Sequence, residues 1–269
     1  MAIDSHRHFW HYTDEEFGWI DDDRIRRDFL PGDCADARGP FDPCVAVEAR
    51  QSVAETKWLL DLAQEHGFIK GVVGWLPIAA DDFSAVLDDV LASPNAARLC
   101  GLRHVVQDEL DDAFILRPDF VRGVRHLISR GLAYDILVFE RHLANAIKFV
   151  DTLPADARLV LDHLGKPRSF ASWKRLIGEL AKRDNVHCKL SGLVTEIGAA
   201  ADPRPYLEVA LESFGPDRLM FGSDWPVVTA HMRYCDWKGV VEDFASQLSQ
   251  YESDAIMTDN AAGFYKLAD

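Results

Sequence analysis

Short apolar runs recur along the whole chain, and a segment of helical character follows most of them. The runs cover residues 2–6, 44–50, 69–75, 99–106, 132–138, 158–163, 186–190 and 218–222, and they read as β-strands. After the second run, Ser52-Val-Ala-Glu55 has the form of a capping box. Trp58, Leu59, Leu62 and Ala63 then share one apolar face, and Gly67 ends the helix. The same spacing returns in Phe83, Val86, Leu87 and Val90, in Phe120, Val124, Leu127 and Ile128, and in Val240, Val241, Phe244 and Leu248. Eight strand–helix units predict an α/β fold of the (β/α)8 barrel (TIM barrel) type, one domain over residues 1–269. A doubly wound open sheet is the alternative, but the first strand is not followed by the glycine-rich turn of a dinucleotide-binding unit.

One connection breaks the pattern. Residues 9–43 separate the first two strands and carry only a weak helical signal, yet hold Trp10, Tyr12, Phe17, Trp19 and Phe29. So many aromatic residues argue against disorder, and a loop this long in a compact domain is commonly functional. The expectation is a long loop packed over the barrel mouth.

Composition narrows the function classes. With 44 acidic against 29 basic residues the formal net charge is −15, which repels nucleic-acid phosphates and anionic membrane surfaces. No basic stripe overrides it, so neither nucleic acid nor membrane is expected as a partner. No apolar stretch approaches the ~20 residues needed to span a bilayer. Asp4, His6 and Arg7 interrupt the position where a signal peptide carries its apolar core, so a cytoplasmic enzyme is expected. The five cysteines are widely spaced, odd in number and without a Cys-x-x-Cys, as in a protein with reduced thiols.

In a barrel of this kind the chemistry sits at the C-terminal ends of the strands. The first strand ends in Asp4-Ser-His6-Arg-His8, whose alternation predicts Asp4, His6 and His8 on one face. The second gives Glu48 and Arg50, which can pair inside the barrel. The fourth gives Arg103 and His104, and the fifth Tyr134 and Asp135. The sixth ends in Asp162-His163, the seventh carries Lys189 and Ser191, and the eighth ends in Ser223-Asp224. His6, His8, His163 and Asp224 form the candidate catalytic set. Three imidazoles and a carboxylate suit a divalent ion such as zinc. They suit a metal-free hydrolytic site equally well, with the carboxylate taking a proton from water and the imidazoles stabilising an oxyanion.

These stretches also carry a resemblance. Ile3-Asp-Ser-His-Arg-His-Phe-Trp10, Leu161-Asp-His-Leu-Gly-Lys-Pro167 and Asp217-Arg-Leu-Met-Phe-Gly-Ser-Asp-Trp-Pro226 resemble the amidohydrolase superfamily in its amidohydrolase-2 branch. Within it the chain is similar to the lactonase group, which includes fuconolactonase- and rhamnonolactonase-type enzymes and the pyrone-dicarboxylate lactonase. The likeness runs nearly end to end, through Gly101-Leu-Arg-His104 to Asn260-Ala-Ala-Gly-Phe-Tyr265. It implies hydrolysis of a small-molecule sugar lactone by a monomer or homodimer. In that reading Asp224 activates water, while His6, His8 and His163 polarise the carbonyl. Arg50, Arg103, His104, Tyr134 and Lys189 would hold substrate polar groups, and Trp10 and Trp225 would stack on the sugar ring. The chain departs from the wider superfamily in lacking a histidine at the end of the fifth strand and a lysine on the fourth. The resemblance therefore implies either one divalent ion, zinc by preference, on His6, His8 and Asp224 with Glu48 or His163, or a site that turns over without metal. A metal-dependent decarboxylase of an aromatic or related acid on the same fold is the alternative.

Overall fold

The computed structural model describes residues 2–36 and 42–268. Eight strands form one parallel sheet in chain order: β1 (Asp4–Arg7), β2 (Cys44–Val47), β3 (Ile69–Gly74), β4 (Leu99–Val105), β5 (Ala133–Leu137), β6 (Leu159–Leu161), β7 (Val186–Leu190) and β8 (Leu219–Phe221). The barrel closes between its ends. Asp224 N donates to His6 O at 2.9 Å and His8 N donates to Trp225 O at 2.7 Å. The expected (β/α)8 barrel is the observed fold.

The outer layer holds helices α1 (Val53–Glu65), α2 (Phe83–Leu91), α3 (Pro118–Ser129), α4 (Leu143–Asp151), α5 (Phe170–Leu180), α6 (Leu193–Ile197), α7 (Arg204–Phe214) and α8 (Tyr234–Ala245), followed by α9 (Gln250–Asp254) and α10 (Asn260–Tyr265). Their apolar stripes, such as Phe120, Val124 and Leu127 of α3, pack on the sheet in one continuous core. A second apolar cluster fills the lower barrel interior: Val45, Val47, Val73, Ala133, Val160 and Met220, capped by Phe264 and Tyr265 of α10. The strands are thus buried on both faces. Above that floor the interior turns polar.

The 9–43 connection is ordered over its described part around its own aromatic core. Trp10 is fully buried with Phe17, Trp19 and Phe29 at ring-centroid distances of 5.5–5.8 Å. It packs on the C-terminal ends of β1, β2 and β8. Trp19 Nε1 donates to Ala49 O at 3.0 Å, Arg50 pairs with Glu16, and Phe29 lies edge-on to Trp225 at 5.3 Å. Residues 37–41 of this loop lie outside the described residues.

Two local expectations are corrected. The register shifts between Asp4 and Arg7, so Asp4 does not join His6 and His8. It instead accepts from Ser223 N at 2.8 Å, Ser223 Oγ at 2.6 Å and Arg7 Nε at 3.0 Å, fastening β1 to the segment after β8. The capping box forms by half. Ser52 Oγ accepts from Glu55 N at 3.4 Å, but the Glu55 carboxylate reaches past Ser52 to accept from Ala49 N and Arg50 N at 3.2 and 3.0 Å.

That reach buries Glu55 beside the equally buried Glu48. Burial, reinforced by the charge on Glu48, pushes its carboxyl up to about 8. A carboxyl whose folded pKa exceeds its unfolded value of ~4.3 favours the fold in its protonated form. The stabilisation is complete below that value and lost as pH rises through about 8. The wild-type melting temperature should therefore fall between pH 5 and 9 relative to that of Glu55→Gln, a difference on the order of 2–4 kcal/mol by differential scanning calorimetry.

Candidate active site

The C-terminal mouth of the barrel gathers His6, His8, His163 and Asp224, each no more than 5% exposed. His6 is on β1 and His8 directly follows it. His163 lies in the turn after β6 with φ 52°, and Asp224 follows β8 with φ 60°. Both are left-handed, a conformation that costs a non-glycine residue energy and is found at functional sites. Gly192, after β7, makes the His163 pose possible: at φ 61°, a Cβ there would lie 2.5 Å from His163 Nδ1.

Distances within the set are short. His6 Nε2 and His8 Nε2 are 3.2 Å apart, and Asp224 Oδ1 lies 3.8, 3.3 and 3.9 Å from the Nε2 atoms of His6, His8 and His163. The far ring nitrogens are held from outside the set. His8 Nδ1 donates to Val47 O at 2.9 Å, which turns its Nε2 lone pair into the cluster. His163 Nδ1 meets Ser191 Oγ at 2.9 Å. His6 Nδ1 faces Lys189 Nζ at 3.0 Å and Asp162 Oδ1 at 3.4 Å.

Beneath and beside His6 lies a lattice of buried charge. Lys189 Nζ donates to Asp135 Oδ2 at 2.6 Å and lies 3.0 Å from Asp162 Oδ1. Arg103 donates to Glu48 Oε1 at 2.8 Å, to Glu48 O at 2.6 Å and to Asp162 Oδ2 at 3.0 Å, and its Nη1 stands 3.2 Å from His6 Nε2. Burial, reinforced by the Lys189 charge, drives the His6 pKa well below its ordinary value. Burial brings His163 down to about 4 against the pull of Asp224 and Asp162. Burial alone would raise Asp224, but the surrounding imidazoles outweigh it and hold the carboxyl well below the usual range. Asp162 is likewise depressed against its burial by Lys189, His6 and Arg103. Asp135, buried and only partly compensated by Lys189, rises to about 6.

The donor set fits a divalent cation. His6, His8 and Asp224 offer ligand atoms that all lie within 4.8 Å of one another, and so do His6, Asp162 and His163. Ligands ~2.0–2.1 Å from a tetrahedral ion stand roughly 3.3 Å apart, close to the separations found here. With His6 and His163 uncharged, four buried carboxylates (Glu48, Asp135, Asp162, Asp224) face the cations Arg103 and Lys189. That surplus of negative charge, in a water-poor interior, is what a dication offsets.

The remaining candidates are distributed as follows. Arg103, Glu48 and Lys189 belong to the lattice, so Glu48 pairs with Arg103 and not with Arg50. Arg50 sits at the rim, pairing with Glu16. Both nitrogens of His104 are engaged: Nδ1 accepts from Trp75 Nε1 at 3.1 Å and Nε2 meets Glu109 Oε1 at 2.7 Å. Tyr134 lies in the helix-facing layer against Phe120 and Phe149, away from the mouth. The Trp10 indole is spent inside the loop, donating to Arg27 O at 2.8 Å. Trp225 is 5% exposed between Phe9 and Phe29. Sequence reasoning missed Lys166, whose ammonium sits at the mouth 3.7 Å from Glu196 Oε1 and over the Phe139 ring. Its only signal is its place three residues after His163.

The chain is similar to known proteins along nearly its whole length. A family model described as Amidohydrolase matches residues 3–267. An L-fucono-1,5-lactonase of Burkholderia multivorans (strain ATCC 17616 / 249) is 40% identical, covering 99% of this chain and 96% of its own. A second L-fucono-1,5-lactonase, from Burkholderia ambifaria, is 34% identical with the same coverage. A crystal structure of an amidohydrolase from Burkholderia multivorans with bound zinc superposes with a TM-score of 0.91 at 39% identity, covering 100% of both chains.

Gly192→Ala tests the packing that sets His163. The added methyl must displace the imidazole from its pose beside Asp224, so kcat/KM should fall on the order of 10²-fold while the circular dichroism spectrum stays that of the wild type.

Proposed function

The chain belongs to the amidohydrolase family, and on that premise we propose that it hydrolyses the ring ester of a sugar-acid lactone, an aldonolactone of the L-fucono- or L-rhamnonolactone kind, to the free aldonic acid. The observation that carries this reading is the Asp224 carboxylate, ionised and buried, with three imidazoles within 3.9 Å at the barrel mouth. The likeness to two L-fucono-1,5-lactonases over nearly the full chain supports the substrate class.

Asp224 orients a water and takes its proton at a carboxylate oxygen as the water oxygen attacks the lactone carbonyl carbon. The carbonyl π-electrons move onto oxygen. His163, when Ser191 Oγ donates to its Nδ1, presents Nε2–H to that oxyanion. Collapse breaks the bond between the acyl carbon and the ring oxygen, and Asp224 returns its proton to the departing ring oxygen. His6 and His8 are the residues to hold a divalent ion together with Asp224. When bound, zinc or a similar ion supplies Lewis acidity toward the carbonyl. Arg50 and Lys166 at the rim are the cations placed to meet substrate hydroxyls or the product carboxylate, and Trp225 offers the edge of an apolar wall.

No described helix is long and apolar enough to cross a membrane. Cys44, Cys100, Cys188 and Cys235 are free. We infer an enzyme of the cytoplasm, monomeric or homodimeric, acting on a small polar substrate; the net charge of −15 speaks against a nucleic-acid partner.

Hydrolysis of a panel of aldonolactones, followed with a pH indicator, tests the reading. Turnover should be confined to a few six-carbon or deoxy-sugar lactones. Asp224→Asn should lower kcat by ~10²–10⁴-fold. A panel that shows no rate above background, with carbon dioxide released from an aromatic acid instead, would overturn it. Metal analysis should find one divalent ion per chain in the wild type and little in His8→Ala.

A further inference from the structure

At the opposite, N-terminal end of the barrel lies a cavity of about 440 Å³. Four cationic residues line it: Lys70, Arg98, Arg158 and Lys266. No described lining residue carries a carboxylate, and none of the four cations is ion-paired among the described residues. This is unusual within the molecule. The chain has 44 acidic and 29 basic residues, and most of the described arginines and lysines pair with a carboxylate. A hollow lined by four cations, with no carboxylate among its described lining residues, is positively charged and favours an anion.

The two guanidinium groups are held from behind. Arg158 donates to Phe264 O and Gly131 O, and Arg98 Nη1 donates to Lys70 O at 3.3 Å. These bonds use carbonyls, which orient a guanidinium without neutralising it. Lys266 sits in a left-handed turn at the end of α10, φ 54°. Two guanidinium forks with two ammonium groups are the donor set that recognises multiply charged oxyanions.

We propose that this cavity is a second ligand site, separate from the catalytic mouth, for a small multiply charged oxyanion: a phosphate ester or diphosphate, or a polycarboxylate. It is walled off from the mouth by the apolar floor and by Phe264 and Tyr265.

Calorimetric titration of the full chain in chloride buffer at constant ionic strength tests it, with pyrophosphate as one probe and succinate as the other. The wild type should bind one or both with a saturable 1:1 isotherm. Pyrophosphate alone identifies phosphate as the recognised group, and succinate alone identifies carboxylate. Lys70→Gln/Arg98→Gln/Lys266→Gln, which spares the carbonyl-bound Arg158, should weaken binding by about tenfold or more while its lactone kcat/KM stays at the wild-type value. The exposed pair Lys148→Gln/Arg175→Gln should bind as the wild type does. Should the triple variant not fold, Lys266→Glu alone should show the same loss. Absence of a saturable isotherm in the wild type, or equal affinity in wild type and cavity variant, overturns the proposal.

Discussion

The buried ammonium of Lys189 is the contact on which the mouth of this barrel depends. It is fully buried and touches two carboxylates, Asp135 and Asp162, and one imidazole, His6. A charge in such a place is tolerated only when its partners surround it, and removing one partner leaves the others uncompensated. Arg103 repeats the arrangement one strand pair away, bridging Glu48 to the same Asp162. The two cations make a rigid bed, and His6 is held against it at Nδ1, leaving Nε2 to face His8 and Asp224.

The bed separates two interiors inside one barrel. Below it, small and branched side chains fill the lower layers and α10 plugs the floor. Above it the three imidazoles and Asp224 converge, with His8 Nδ1 tied to Val47 O and His163 Nδ1 to Ser191 Oγ. Tyr265 crosses the boundary: its hydroxyl donates to Asp135 Oδ2 at 2.7 Å, so a hydrogen-bonded line runs from the floor through Asp135 and Lys189 to His6. The left-handed backbone at His163 and Asp224 bears the remaining strain, and Gly192 and the clamp of Asp4 on Ser223 keep it in place.

Much of this was legible in the chain. The eight strand–helix units gave the fold because each helix has to bury an apolar stripe and each strand two apolar faces. His6, His8, His163 and Asp224 were legible because polar residues ending apolar strands converge at one mouth. The partners were not. Strand alternation places Glu48 and Arg50 together, but the barrel pairs Glu48 with Arg103 two strands away, a choice made by shear and not by spacing. Asp4 left its expected face because one register shift reverses the alternation. Tyr134 and Trp10 point into packing layers, where a neighbouring aromatic decides their direction. Tyr265, 130 residues from Asp135, gives no periodic signal at all.

The most direct test of the account is the urea stability of Lys189→Met against that of Lys189→Met/Asp135→Asn. If the buried ammonium organises the mouth, the single variant should lose ~3–5 kcal/mol and the double variant should recover a large part of it, because the second change removes the carboxylate left unpaired. A single variant as stable as the wild type, or a double variant that loses the sum of both changes, would contradict the claim that this contact holds the site together.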